Sequence, residues 1–240
     1  MKKSIMIFLV LLVSIATNAQ SDIWVNGYVY SEVEGQQVMI PFATIGVYDL
    51  AETDKMEYYS VSGMQGNYCL KPYNYQKQYH YVVRALGFKT KEFNLKDIPE
   101  YMDGKPFSGN ATVNVKLERD STIKVEEIKC ISHSMVELQK KGKAKNVLDA
   151  LSLLDEIKQD VNYWIDVKSD ESICFFLNGM YVTADVYAKL QFLPVDMIVK
   201  LEYYKLPKGC NYGAGVNIVL AVGPENKAPN YKLGESKLVY

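Results

Sequence analysis

Histidine is almost missing from this 240-residue sequence, which has only His80 and His133, far apart in the chain. Their spacing from serine, cysteine and aspartate suggests no nucleophile–base–carboxylate constellation. The four cysteines, Cys69, Cys130, Cys174 and Cys210, include no CxxC pair, and none stands at ligand spacing from a histidine, which argues against a zinc site. Basic residues are not in excess, with 27 Lys and Arg against 28 Asp and Glu. Without a basic stripe, nucleic acid is not the expected partner. An amphipathic cationic helix for lying on a membrane is also missing. Past the N-terminus no apolar run approaches the roughly 20 residues that spanning a bilayer requires. Gly209, Gly213 and Gly215 read as a loop between two strands, so no helix N-terminus is at hand to hold a phosphate. Asp166, Asp170 and Glu171 lack the ordered ligand spacing of a calcium loop. No pair of carboxylates stands out for glycoside hydrolysis. No catalytic residue, metal ligand or cofactor site is therefore assigned, and the expectation is a protein that is not an enzyme.

What is present begins with an export signal. Lys2 and Lys3 precede the apolar run Ile5 to Val13, and Thr17 and Ala19 are small residues at the minus-three and minus-one positions of a cleavage site. Residues 1–19 are expected to be removed, leaving 25 basic residues against 28 acidic ones, a net charge of −3. The expected location is the periplasm or the outer membrane. An exported chain meets an oxidising compartment, and four cysteines permit three pairings; a bridge such as Cys174 to Cys210 and four unbridged thiols both stay open.

Residues 22–118 read as short strands with turns at regular spacing. Ile23-Trp-Val-Asn-Gly-Tyr-Val-Tyr30, Ile40 to Tyr48, Met56 to Val61, Tyr68 to Lys71, Tyr79 to Ala85, Lys89 to Leu95 and Ala111 to Leu117 make seven, and point to a small antiparallel sandwich. Four pieces, Gly27-Tyr-Val, Pro41-Phe-Ala-Thr-Ile-Gly-Val47, Gly66-Asn-Tyr68 and Ala85-Leu-Gly-Phe-Lys89, resemble the carboxypeptidase regulatory-like domain. The resemblance implies a transthyretin-like sandwich without catalytic residues. The acidic turn residue usual in that family is replaced by the glycines of Ser62-Gly-Met-Gln-Gly66. Tyr73, Tyr75, Tyr79 and Tyr81 alternate, a spacing that would place them on one strand face as a platform for a glycan or a protein; tyrosine as an ordinary strand residue is the plainer reading.

Residues 119–125 read as a linker, followed by a module over 126–223 and a tail over 224–240. Asn146 is expected to cap a helix running through Leu154, with Val147, Leu148, Leu151 and Leu154 on one face. Strands are expected at Val125 to Lys129, Tyr163 to Val167, Ser172 to Leu177, Val199 to Lys205 and Val216 to Leu220, and a helix at Ala184 to Leu190. The order of strand, Asn178-Gly179 turn, helix, Leu193-Pro-Val-Asp step, strand, glycine loop and strand resembles the plug domain of TonB-dependent outer-membrane receptors. The helix before it lacks that family's Pro-Gly ending. In such receptors a box before the plug pairs as a strand with TonB, and Asp120, Thr122, Ile123 and Val125 match it loosely.

The expected fold is thus two-domain, an all-β transthyretin-like sandwich followed by a small α+β plug-like domain, without the receptor's barrel. The resemblance implies an accessory or binding protein at the outer membrane of a Bacteroidetes-type cell. Its partners would be TonB or a barrel supplied by another chain. The alternative is a periplasmic or surface module that binds a protein or a glycan through the tyrosine face.

Overall fold

The structure, a computed structural model, describes residues 23–73, 79–94, 110–159, 165–167 and 172–221. Strand β1 (Ile23–Val33) reverses at Glu34 and Gly35, whose φ angles of 52° and 78° are those of a tight hairpin turn, into β2 (Gln36–Met39). Then come β3 (Thr44–Asp49), β4 (Glu52–Val61), β5 (Asn67–Tyr73), β6 (Tyr79–Arg84), β7 (Lys91–Asn94), β8 (Asn110–Thr112) and β9 (Val115–Lys116). One sheet has β2 and β5 antiparallel to β1, and β8 and β9 parallel to it. The other runs β4-β3-β6-β7, antiparallel throughout.

The two sheets enclose a core in which Val25, Val29, Tyr68 and Leu70 face Ile45, Val47, Tyr81 and Val83. The Tyr68 hydroxyl crosses this core and donates to the Val113 carbonyl at 2.7 Å, so its polar tip is satisfied where water is excluded. The sequence suggested a purely antiparallel sandwich, and the structure departs from this at β8 and β9, which run parallel to β1. A strand that returns by a long connection instead of a hairpin is free to pair parallel, and β8 and β9 do so. Strand β3 starts at Thr44, four residues later than expected, because Ile40 to Phe42 turn out of the sheet.

The second module is a mixed five-stranded sheet covered by helices. Its elements are β10 (Lys129–Ser134), α1 (Met135–Lys141), α2 (Val147–Ser152), the hairpin of β11 (Ile157–Gln159) and β12 (Ile165–Val167), β13 (Ile173–Leu177), β14 (Met180–Val182), α3 (Ala184–Leu190), a single 3₁₀ turn at Val195–Met197, β15 (Ile198–Lys205) and β16 (Ala214–Leu220). The sheet order is β10-β15-β16-β13-β14, with only the β13–β16 pair parallel. Asn146 caps α2 by accepting the Asp149 N–H at 2.9 Å. Asn178 and Gly179, at φ 48° and 82°, turn β13 into β14. The opening strand is β10, not Val125 to Lys129, since residues 123–128 form no regular structure. Among the described residues, no helix is long and apolar enough to cross a membrane.

Alternation along β13, β15 and β16 sends Phe175, Leu201, Tyr203, Val216 and Ile218 to one face, against Met135, Leu138, Val147 and Leu151 of the helices. The opposite face carries Cys174, Phe176 and Tyr204 and packs on Val61, Phe42 and Met64 of the sandwich. The two modules therefore share a third, smaller core.

Candidate functional site: the linker and the seam between the modules

The seam is built around Phe42. Its φ of 60° lies in the left-handed region, unusual for a bulky residue. Ser62, fully buried, holds it there. The Phe42 N–H donates to the Ser62 carbonyl at 2.9 Å, the Ala43 N–H donates to Ser62 Oγ at 2.8 Å, and Ser62 Oγ donates to the Ile40 carbonyl at 2.8 Å. The clamp throws the Phe42 ring out of the sandwich and edge-on against Phe176, with centroids 5.5 Å apart and planes at 87°. Gly215 makes room for the ring, since a Cβ there would lie 2.6 Å from Phe42 Cε1. At Gly63 the backbones themselves meet, and a Cβ would fall 1.8 Å from the Gly179 carbonyl oxygen.

Polar groups complete the joint. Asn217 Nδ2 donates to Glu202 Oε2 at 2.8 Å, the Tyr204 hydroxyl donates to the same oxygen at 3.1 Å, and Lys200 Nζ lies 2.6 Å from Glu202 Oε1. The Gly179 N–H donates to Asn217 Oδ1 at 2.8 Å, so the network also sets the turn that touches Gly63. Burial alone would raise the Glu202 carboxyl; the hydrogen bonds from Lys200 and Asn217 outweigh it and hold the group below its ordinary value. Nearby, the Tyr212 hydroxyl donates to Tyr59 at 2.7 Å, and burial pushes the Tyr212 and Tyr181 phenols up.

The linker residues singled out by the sequence do not form one extended strand. Asp120 folds back on itself: its Oδ1 accepts the Thr122 N–H at 3.0 Å and the Thr122 hydroxyl at 2.6 Å, and the Ile123 N–H donates to the Asp120 carbonyl. These bonds hold the Asp120 carboxyl below its usual range. Such a local turn competes with strand pairing, and here it wins. From Ile123 onward the chain opens. Ile123 is exposed, Val125 sits over Gly87, and Ile128 is buried in the seam. Residues 124–128 make no backbone hydrogen bond to another described residue. They lead into β10, an edge strand whose outer side has no partner among the described strands.

The tyrosine platform is corrected in part. Tyr79 and Tyr81 both point into the sandwich core, buried against Tyr58 and Phe93, because β6 turns His80 and Arg84 outward instead. Tyr75 lies outside the described residues, as does the side chain of Tyr73. His80 is tied across the strands to Asn94 Oδ1 at 3.1 Å and Glu92 Oε2 at 3.2 Å. The glycine loop at Lys208 to Gly213 joins the antiparallel strands β15 and β16 and so reverses the chain.

All four cysteines are unbridged. Burial raises each thiol, that of Cys210 to about 11, so at neutral pH they are poor nucleophiles. Among the described residues, no three His, Cys, Asp or Glu side chains gather as a metal site.

No protein-family model matches the sequence, and no curated protein matches it. Among solved structures, the Bacillus anthracis TIE protein is 11% identical with a TM-score of 0.27, over 84% of this chain and 34% of that one. The chain thus spans about a third of the length of that protein. The shaft pilin SpaA from Lactobacillus rhamnosus GG is 7% identical with a TM-score of 0.26, over 84% of this chain and 98% of the pilin. Likeness at this level carries no argument about the chain's fold or function.

Proposed function

We propose that this chain is a non-catalytic, exported binding or accessory protein at the outer membrane. In this reading it is built like the front end of a TonB-dependent receptor, a regulatory-like sandwich followed by a plug-like module. It engages an extended segment of TonB, or of a barrel protein supplied by another chain, by strand addition. One observation supports this above the others: residues 124–128 make no backbone hydrogen bond to another described residue and run directly into the edge of β10 that no described strand covers. Strand addition needs only that, since main-chain hydrogen bonds supply the affinity and alternate side chains the specificity. The pairing segment would begin at Ile123, because Asp120 and Thr122 are spent on their own turn. Val125 and Ile128 anchor it from below without using its backbone.

The experiment is co-purification of the processed chain with the C-terminal domain of TonB and with outer-membrane barrels, followed by surface plasmon resonance on the partner found. Lys124→Pro and Glu126→Pro, which remove backbone donors from exposed positions, should each abolish binding, while Lys124→Thr and Glu126→Thr retain it. A monomer that binds neither partner overturns the reading.

A further inference from the structure

Strand β1 sends alternate side chains to opposite faces of its sheet. Val25 and Val29 enter the sandwich, while Trp24 and Tyr28 stand on the outer face, 43% and 44% exposed. Between them on that face is Asn26, whose register partner on β8 is Thr112. Thr112 Oγ1 donates to Asn26 Oδ1 at 3.2 Å, and the Tyr28 N–H donates to Asn114 Oδ1 at 3.1 Å. Both bonds occupy the amide oxygens. The NH₂ groups of Asn26 and Asn114 are left to donate, with no partner among the described residues. At the far end of the face the charges of Lys116 and Glu32 are paired at 2.5 Å, so among the described residues the surface around the rings is polar without an unpaired charge.

We propose that this outer face binds a neutral polysaccharide. A sugar ring has an apolar C–H face and a rim of hydroxyls. Trp24 and Tyr28 match the first with electron-rich ring faces that lose little freedom on binding, and Asn26, Thr112 and Asn114 match the second. Among the described residues, no unpaired cation stands on this face to meet the charge of a nucleic acid or an anionic glycan. The two rings are four residues apart on an extended strand, about 13 Å, so only an oligosaccharide reaches both. The rings stand on a central strand paired on both sides, which orders them before the ligand arrives. This site lies on the sandwich, away from the β10 edge, and stands or falls separately from the strand-addition reading.

The test is affinity electrophoresis of the processed chain in gels containing soluble xylan, mixed-linkage β-glucan, galactomannan or starch, with polygalacturonate as the charged control. The chain should be retarded in at least one neutral gel, and longer oligosaccharides should compete better than the monosaccharide. Trp24→Ala and Tyr28→Ala should each weaken retardation about ten-fold, the loss of one stacking contact. Phe192→Ala, which removes an exposed ring from the second module, should leave it unchanged. Trp24→Phe keeps a ring and should retain most binding, which separates stacking from any loss of fold. Three results overturn the proposal: no retardation in any neutral gel, retardation in polygalacturonate alone, or binding untouched in the Trp24→Ala, Tyr28→Ala double variant.

Discussion

The sheet of the second module is covered on both faces, and the two covers work differently. Toward α1 and α2, Leu201, Val216 and Ile218 meet Leu138, Val147 and Leu151 in an apolar layer that depends on filled volume. Toward the sandwich, Phe176 and Tyr204 meet Phe42 beside a carboxylate, an amide and two glycine contacts. There the fit depends on backbone approach and on every hydrogen bond being made. The helix face buries the larger apolar cluster, and the seam joins the sheet to the sandwich. A volume error is expected to weaken the first everywhere, whereas a geometric error should part the second while leaving both main cores intact.

The largest effect should come from the helix face. Leu201 is fully buried, and Leu201→Ala leaves a cavity among residues that cannot all move to fill it. The expected loss is about 2–5 kcal/mol of unfolding free energy by urea titration. A loss below about 1 kcal/mol would show that this layer is not what holds the sheet. Next is Gly63→Ala, which drives a methyl group into the Gly179 carbonyl. Strain of this kind costs about 1–3 kcal/mol, and here the hardest clash falls on the seam, while Asn67 Oδ1, 2.7 Å from the added carbon, belongs to a side chain that can turn away. Calorimetry should show one transition dividing into two, and proteases should gain access to residues 119–128. A single unshifted transition would mean that the backbones do not meet there.

The same contrast explains what was legible in the sequence. Helix α3 and the Asn178-Gly179 turn could be read because their signals are local. The inward turn of Tyr79 and Tyr81 was also written there, since His80 and Arg84 on the alternate positions mark the outward side. Helix α1 was missed, although Ser134 and Glu137 form a capping box, with the Glu137 N–H donating to Ser134 Oγ at 3.2 Å and the Ser134 N–H to Glu137 Oε2 at 3.3 Å. Strand β2 was missed because Gln36 and Gln37 are polar, and its pairing depends on the Glu34-Gly35 turn. The seam could not be read at all. Phe42 takes its backbone angle from Ser62, 20 residues away, and Gly63 and Gly215 are required only by what lies opposite them in space.

The smallest expected effect tests the polar half of the seam. Glu202 is held below its ordinary value of 4.5, so its ionised form is stabilised by folding. Its contribution is complete well above that value and is lost as the pH falls through it toward the lower folded value. Glu202→Gln keeps the shape and an acceptor for Asn217 but gives up the charge-assisted bond to Lys200. At pH 7 the variant should be less stable by about 1 kcal/mol. Below pH 4 the gap should close, because the native carboxyl is then being protonated while the amide does not titrate. Asp120 and Glu137 are also lowered, by their own turn and cap, and act equally in both proteins, so the difference between the two pH curves isolates Glu202. Parallel curves from pH 7 to pH 3 would mean that the Glu202 charge does not hold the seam, and that its hydrogen-bonding shape alone does.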